Sequence, residues 1–175
     1  MLKIIAIVIV LFIAGLLGYA ATKPDTFRIE RSVSIKAPPE KIFPHIGDFK
    51  AWDAWSPWAK KDPAMKSTLS GAANGKGAIY QWDGNSDVGA GRMEITDATP
   101  ASRITIKLDF LKPFAANNTA EFTLQQQGES TRVTWAMFGP QLFVAKLMGI
   151  FLNIDSMVGK DFEAGLASLK AIAEK

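Results

Sequence analysis

The chain has 175 residues, with 20 Lys and Arg against 17 Asp and Glu, one His and no Cys. That length suits one domain plus an appendage. The net charge of +3 is scattered without a block of like charges, so nothing marks a nucleic-acid partner; no Cys and a single His leave too few ligands for a transition metal, and no cofactor is expected.

The appendage comes first. From Ile4 to Ala21 no residue is charged, and Ile4 to Leu17 are all apolar or Gly. At 1.5 Å per residue these residues span about 27 Å, close to the roughly 30 Å of a bilayer's hydrocarbon core. Tyr19 falls where an interfacial aromatic belongs, and Lys23-Pro24 ends the run. Two readings compete: an uncleaved single-pass anchor, and a signal peptide cut after Ala20 with Gly18 and Ala20 as the small residues. The length of the run favours the anchor. The division is then 1–21 anchor, 22–26 linker and 27–175 domain. The signal-like layout places the N-terminus inside and the domain outside the cytoplasm.

In the domain, Phe27 to Ile35 alternates apolar and polar as a half-buried strand does. Arg31 intrudes on its apolar row, which suggests a bulge, an edge position or a polar corner of a cavity. Pro38-Pro39-Glu40 starts a helix that Pro44 keeps short. A second short helix runs from Phe49 to Trp55. Within Trp52-Asp53-Ala54-Trp55-Ser56-Pro57-Trp58 stand three of the five tryptophans. Such clustering marks a wall of a core or of a pocket, and Ser56-Pro57 turns the chain.

From Met65 to Gly139 the pattern is all β. Strands are expected at Met65–Ser70, Ala78–Trp82, Arg92–Ala98, Ile104–Phe110, Ala120–Gln125 and Arg132–Met137, with Gly, Pro, Asn and Asp turns between them. After Pro140 the period becomes helical. Phe143 to Phe151 gives a short apolar helix. Ile154, Met157, Val158, Phe162, Leu166, Leu169 and Ala173 stripe a longer terminal one. The fold class is α+β: a curved antiparallel sheet of about seven strands whose apolar face only the terminal helix is long enough to cover.

This order resembles the START-like or SRPBCC superfamily, the helix-grip fold, and most of all its polyketide cyclase/dehydrase-like branch. The matching stretches are Arg31 through Phe43, Trp52 through Trp58, Tyr80 through Asn85, Gly89-Ala90-Gly91-Arg92-Met93 and Asp161 through Leu166. The resemblance covers residues 26–175. It implies a cavity between sheet and terminal helix that takes a lipid, quinone, hormone or polyketide. On that footing the ligand-binding candidates are Arg31, Trp55, Trp58, Tyr80, Trp82, Met93, Phe110, Phe122, Trp135, Phe162 and Leu166. The expected partners are a hydrophobic small molecule or lipid, and the bilayer through residues 4–21.

Catalytic chemistry has little to stand on. His45 has no Cys or Ser partner visible in sequence. Asp83 and Asp87 lie in turn-rich sequence. Gly71 to Gly77 lacks the Lys-Ser/Thr ending of a phosphate loop, and Gly89-Ala90-Gly91 lies between strands rather than before a helix. Three readings stand: a membrane-tethered binder of a hydrophobic molecule, a cyclase- or dehydratase-type enzyme, and an interaction module. The last requires Trp52, Trp55 and Trp58 to form an exposed patch.

Overall fold

The computed structural model describes residues 1–175. The apolar run folds as α1 (Leu2–Ala21), a 20-residue helix of mean hydropathy 2.8 in which only Ala20 is buried. It is long and apolar enough to cross a membrane. Strand β1 (Thr26–Ile35) follows, then α2 (Pro39–Gly47), a 3-10 helix over Phe49–Ala54, and α3 (Pro57–Lys61). Six further strands are β2 (Lys66–Gly71), β3 (Ala78–Asp83), β4 (Ala90–Thr99), β5 (Arg103–Lys112), β6 (Ala116–Gln127) and β7 (Ser130–Pro140). Helices α4 (Phe143–Met148) and α5 (Ile154–Ala173) close the chain.

The seven strands form one antiparallel sheet in the order β1-β7-β6-β5-β4-β3-β2. The expected α+β helix-grip architecture is present. Helix α5 is capped by the Asn153 side chain, which accepts the Ser156 N–H at 2.9 Å. It packs chiefly along β1, at one side of the sheet. At the other side of the sheet β3 meets the 3-10 helix, with Phe49 against Tyr80, rather than α5.

Two local expectations change. Ser56-Pro57 does not end structure but begins it: Ser56 is the cap of α3 and Pro57 its first residue, where the missing N–H has no helical partner to lose. Arg31 makes no bulge, because β1 pairs with β7 in unbroken register from Thr26 to Ile35. The bulge lies in β4 instead, where register shifts between Ile95 and Asp97 around Thr96.

Register sets which side chains meet on the inner face. One row runs Ile104, Phe122, Trp135 across β5, β6 and β7. The next runs Ile95, Ile106, Ala120, Met137, Ile29. A third holds Tyr80, Met93 and Leu108, and a fourth Trp82, Gly91 and Phe110. The first row is closed by large rings. The second has only the Ala120 methyl at its centre, so space opens there.

Candidate functional site

The rows of large rings form a continuous aromatic stack. Trp135 lies flat on Phe162 of α5, with centroids 4.2 Å apart and planes at 4°, and stacks on Phe122 at 4.8 Å. Trp55 and Trp58 both meet Trp135 edge-on, at 5.5 and 5.4 Å. Such edge and offset contacts contribute about 0.5–1.5 kcal/mol each beyond burial. Gly165 permits the contact between α5 and the sheet, since a Cβ there would lie 2.9 Å from Trp135 Cζ3 and 3.1 Å from Pro57 Cδ.

Beyond this stack, toward β3 to β5, the interior is not filled. A cavity of about 370 Å³ lies between the sheet, the Trp52–Lys61 segment and the first turns of α5. Trp58, Tyr80, Trp82, Met93, Phe110, Trp135 and Phe162 line it. Trp82 lies across β4 because Gly91 leaves room: a Cβ at Gly91 would meet the Trp82 ring at 2.4 Å. Its indole Nε1 donates to the Val88 carbonyl at 3.1 Å, which fixes the ring as a wall. Tyr80 is half-buried. Burial pushes its phenol pKa up and the charge of Asp53 adds to this, against an opposing hydrogen bond with Ser67. It therefore stays a neutral donor at ordinary pH.

Four candidates stand elsewhere. Trp55, Phe122 and Leu166 are essentially inaccessible and belong to the core behind the cavity. Trp55 faces away because its Nε1 donates to the His45 carbonyl at 2.9 Å. Arg31 shares the inward row, but its side chain runs to the edge of α5. Its Nη2 lies 3.0 Å from Asp155 and its Nε 2.8 Å from Glu163. Hydrogen bonds to these two carboxylates push its pKa up further. A Cβ at Gly159 would lie 2.0 Å from Arg31 Nη2, so Gly159 is the seat of the guanidinium. Arg31 clasps the helix and does not reach the cavity.

The structure adds lining residues that sequence reasoning missed, above all Trp52, Leu108, Met137 and Val158. Leu108 and Met137 were legible in principle, since each continues a row already assigned to the inner face. Trp52 was legible only as a member of the tryptophan run, as wall of a core or of a pocket, because its placement depends on the 3-10 turn. That turn is fixed by Asp48, which accepts the Lys50 N–H at 2.9 Å, and by the Trp52 Nε1 bond to the Ile46 carbonyl, also 2.9 Å.

Polar groups gather at the mouth. Asp53, Lys61, Ser86, Asp87 and Lys112 are all exposed at its border. Lys61 bridges to Asp161 at 2.7 Å, tying α3 to α5 across the opening. Buried Asp62 accepts the N–H groups of Ala64 and Asn85 at 3.0 and 2.8 Å and so holds the 84–89 turn in place. Behind the wall, Trp135 Nε1 is buried without an acceptor in the protein. His45 does not line the cavity. No group of three or more His, Cys, Asp or Glu side chains gathers to hold a metal.

A second, wider hollow of about 950 Å³ is a groove between the β1, β6 and β7 ends, α4 and the segment leading to α5. Phe27, Ile29, Phe114 and Met148 line it, and Met137 belongs to both walls.

The fold is shared with many solved structures. Protein CV1439 from Chromobacterium violaceum superposes with a TM-score of 0.59 at 16% identity, covering 87% of this chain and 99% of that one. Protein Ms6760 from Mycobacterium smegmatis gives 0.58 at 20% identity, covering 86% and 92%. The di-domain ARO/CYC BexL of the BE-7585A biosynthetic pathway gives 0.62 at 16% identity over 91% of this chain, which spans 53% of BexL. At these identities the likeness is one of fold alone. No curated protein matches the sequence. Residues 26–174, the entire sheet with its covering helices, match the family model described as polyketide cyclase/dehydrase and lipid transport, and the chain belongs to that family.

Proposed function

We propose that this protein is a membrane-tethered domain that binds a hydrophobic small molecule or lipid in the cavity between its sheet and α5. The observation that carries this reading is the cavity itself. It is walled by Trp, Tyr, Phe and Met, its exposed polar groups are at the mouth, and its volume of about 370 Å³ falls at the lower end of the about 300–1,000 Å³ typical of ligand sites. Tyr80 on the wall and the polar side chains at the mouth supply the few orienting groups that such sites use. A ligand with one carbonyl or hydroxyl oxygen and an apolar body suits them.

The tether is α1. Its length and hydropathy suit a span, and the packing of Ala20 favours a retained segment over a cleaved one. A signal peptide has no reason to bury its last residues against the mature domain. The interaction-module reading loses its basis, because Trp52 and Trp55 are buried and Trp58 is half-buried.

Cyclase-type chemistry is the second reading, and one observation favours it: the desolvated Tyr80 phenol inside the cavity is a proton donor held neutral. Against it, Asp161 is paired to Lys61, and Asp53, the carboxylate whose charge acts on Tyr80, is exposed at the mouth. The test is native mass spectrometry of the full-length protein from detergent, with solvent extraction of what it carries. A bound hydrophobic molecule released on unfolding is the expected result. An empty protein that takes up no lipid or sterol from mixed micelles overturns the binding reading. Turnover lost in Tyr80→Phe would favour the enzyme.

A further inference from the structure

The face of the domain beside α1 is nearly as apolar as α1. From Gln141 to Ile154 the only charged residue is Lys146. It is buried and turned onto Asp25. Leu142, Phe143, Val144, Met148, Phe151 and Leu152 stand outward from the same segment, all exposed, Phe151 at 68%. On the far side of the groove the β5–β6 turn adds Phe114, 63% exposed. Single exposed apolar side chains are ordinary, but a contiguous patch of this kind marks a contact surface.

What covers it follows from how α1 is attached. Helix α1 packs on α4, with Ala20 fully buried and Leu16, one turn earlier, half-buried. The linker is clasped rather than loose: the Asp25 carbonyl accepts the Gln141 N–H at 2.7 Å, and its carboxylate pairs with Lys146. Helix α4 is thereby held at the level of the last turns of α1. A helix of 20 residues is about 30 Å long, the thickness of the hydrocarbon core. When α1 spans, its last turns lie at one boundary of that core. Tyr19 and Lys23, 2.9 Å apart, form the interfacial pair expected there. Helix α4 lies at the same boundary, and its outward side chains meet acyl chains and headgroups instead of water.

We propose that Gln141–Met157, together with the turn carrying Phe114, is a second membrane contact: a lip seated in the surface of the bilayer. The groove then opens into lipid. Met137 lines both groove and cavity, so a swing of this one unbranched side chain joins them. A hydrophobic ligand moves from bilayer to cavity without crossing water. This proposal rests on the reading of α1 as a membrane anchor. Apolar helix faces of this kind seat about 5–10 Å into the headgroup and acyl boundary.

The natural chain contains no Cys, so single labels are unambiguous. Full-length variants Phe143→Cys, Phe151→Cys, Phe114→Cys, Val10→Cys and Gln125→Cys carry an environment-sensitive fluorophore in phosphatidylcholine vesicles. Each position is exposed, so the labels leave the core undisturbed. Emission at 143, 151 and 114 is expected to shift to the blue and to be quenched by lipids with nitroxides on their acyl chains, as at Val10. Gln125, at the other end of the sheet, keeps its aqueous emission. Aqueous emission at 143 and 151 with quenching at Val10 overturns the lip and leaves the anchor standing. A blue shift without quenching by lipid means that a second copy covers the patch, and also overturns it. Absence of quenching at Val10 removes the anchor and the lip with it.

Discussion

The two halves of α5 meet the same sheet and do different things there. The C-terminal half is packed solid: Leu166, Leu169 and Ala173 are buried to 1% exposure or less and share the core with Ile35, Ile42 and Ile46. The N-terminal half lies over open space. Met157 is 58% exposed and Val158 half-buried; one ring, Phe162, lies on Trp135, and the other ties are polar, from Arg31 of β1 to Asp155 and Glu163 and from Lys61 of α3 to Asp161. Branched aliphatic side chains fill volume at the packed end. At the open end, rings and methionines line a space that they do not fill. Stability is concentrated at one end of the helix, which leaves the other free to accommodate a guest.

The sharpest way to break this contrast is to truncate one residue at each end. Leu166→Ala leaves a void where nothing can collapse and is expected to lower stability by about 2–5 kcal/mol. Met157→Ala removes a side chain already in solvent and is expected to change it by less than about 0.5 kcal/mol. Denaturant melts of both variants in the same detergent measure the difference. Equal losses would mean that the open end is packed as tightly as the other.

Filling the cavity sharpens the contrast from the other side. Ala120 is the small residue at the centre of the row that runs from Ile106 to Met137. Ala120→Phe projects a ring into the space above it. The strain of overpacking is expected to cost about 1–3 kcal/mol. Co-purifying ligand, read by mass spectrometry, is expected to disappear. Ligand retained at wild-type level would place the binding site elsewhere.

The difference between the two ends also explains what could be read from the sequence. Strand periodicity gives the inner face directly, so Tyr80, Trp82, Met93, Phe110 and Trp135 were all visible as inward residues, and all five line the cavity. Whether an inward residue meets space or protein depends on a neighbour across the sheet. Phe122 pairs with Trp135 and is sealed under it, while Tyr80 pairs with Met93 beside the opening. That distinction lies in register and in the small residues Gly91 and Ala120, whose meaning appears only once the partners opposite them are known. Arg31 was illegible for a similar reason. Its apolar row was correct, but its destination is set by Gly159, more than a hundred residues away in sequence. The Trp52–Trp58 run divides along the same line: Trp55 is core, Trp58 is wall, and Trp52 is both.

The polar hold on the open end gives a smaller effect. Arg31→Gln removes both ion pairs to α5 while keeping the side chain's length. Because both carboxylates are largely exposed, salt already screens them, and the loss of stability is expected to be well below that of Leu166→Ala. The readout that separates a clasp from general packing is salt dependence. The wild-type melting midpoint falls with added NaCl more than that of Arg31→Gln. Identical salt slopes would mean that the pairs hold nothing.

The smallest effect concerns the junction between α1 and the open end. Lys146, through its hydrogen bond and then its charge, lowers the Asp25 pKa. A carboxyl whose folded pKa is depressed contributes its stabilisation fully above the unfolded value, about 3.9. The contribution is lost as pH falls through the lower folded value. The contact is therefore intact at neutral pH and through pH 5, and weakens only below about pH 4. Spin labels at Thr22→Cys and Val144→Cys, both on exposed positions, report the distance between linker and α4. A narrow distance distribution down to pH 5 that broadens below pH 4 is expected, and Asp25→Asn is expected to show the broad distribution at every pH. Broadening already at pH 6 would assign the hold to another group, and with it the depth at which α4 meets the membrane.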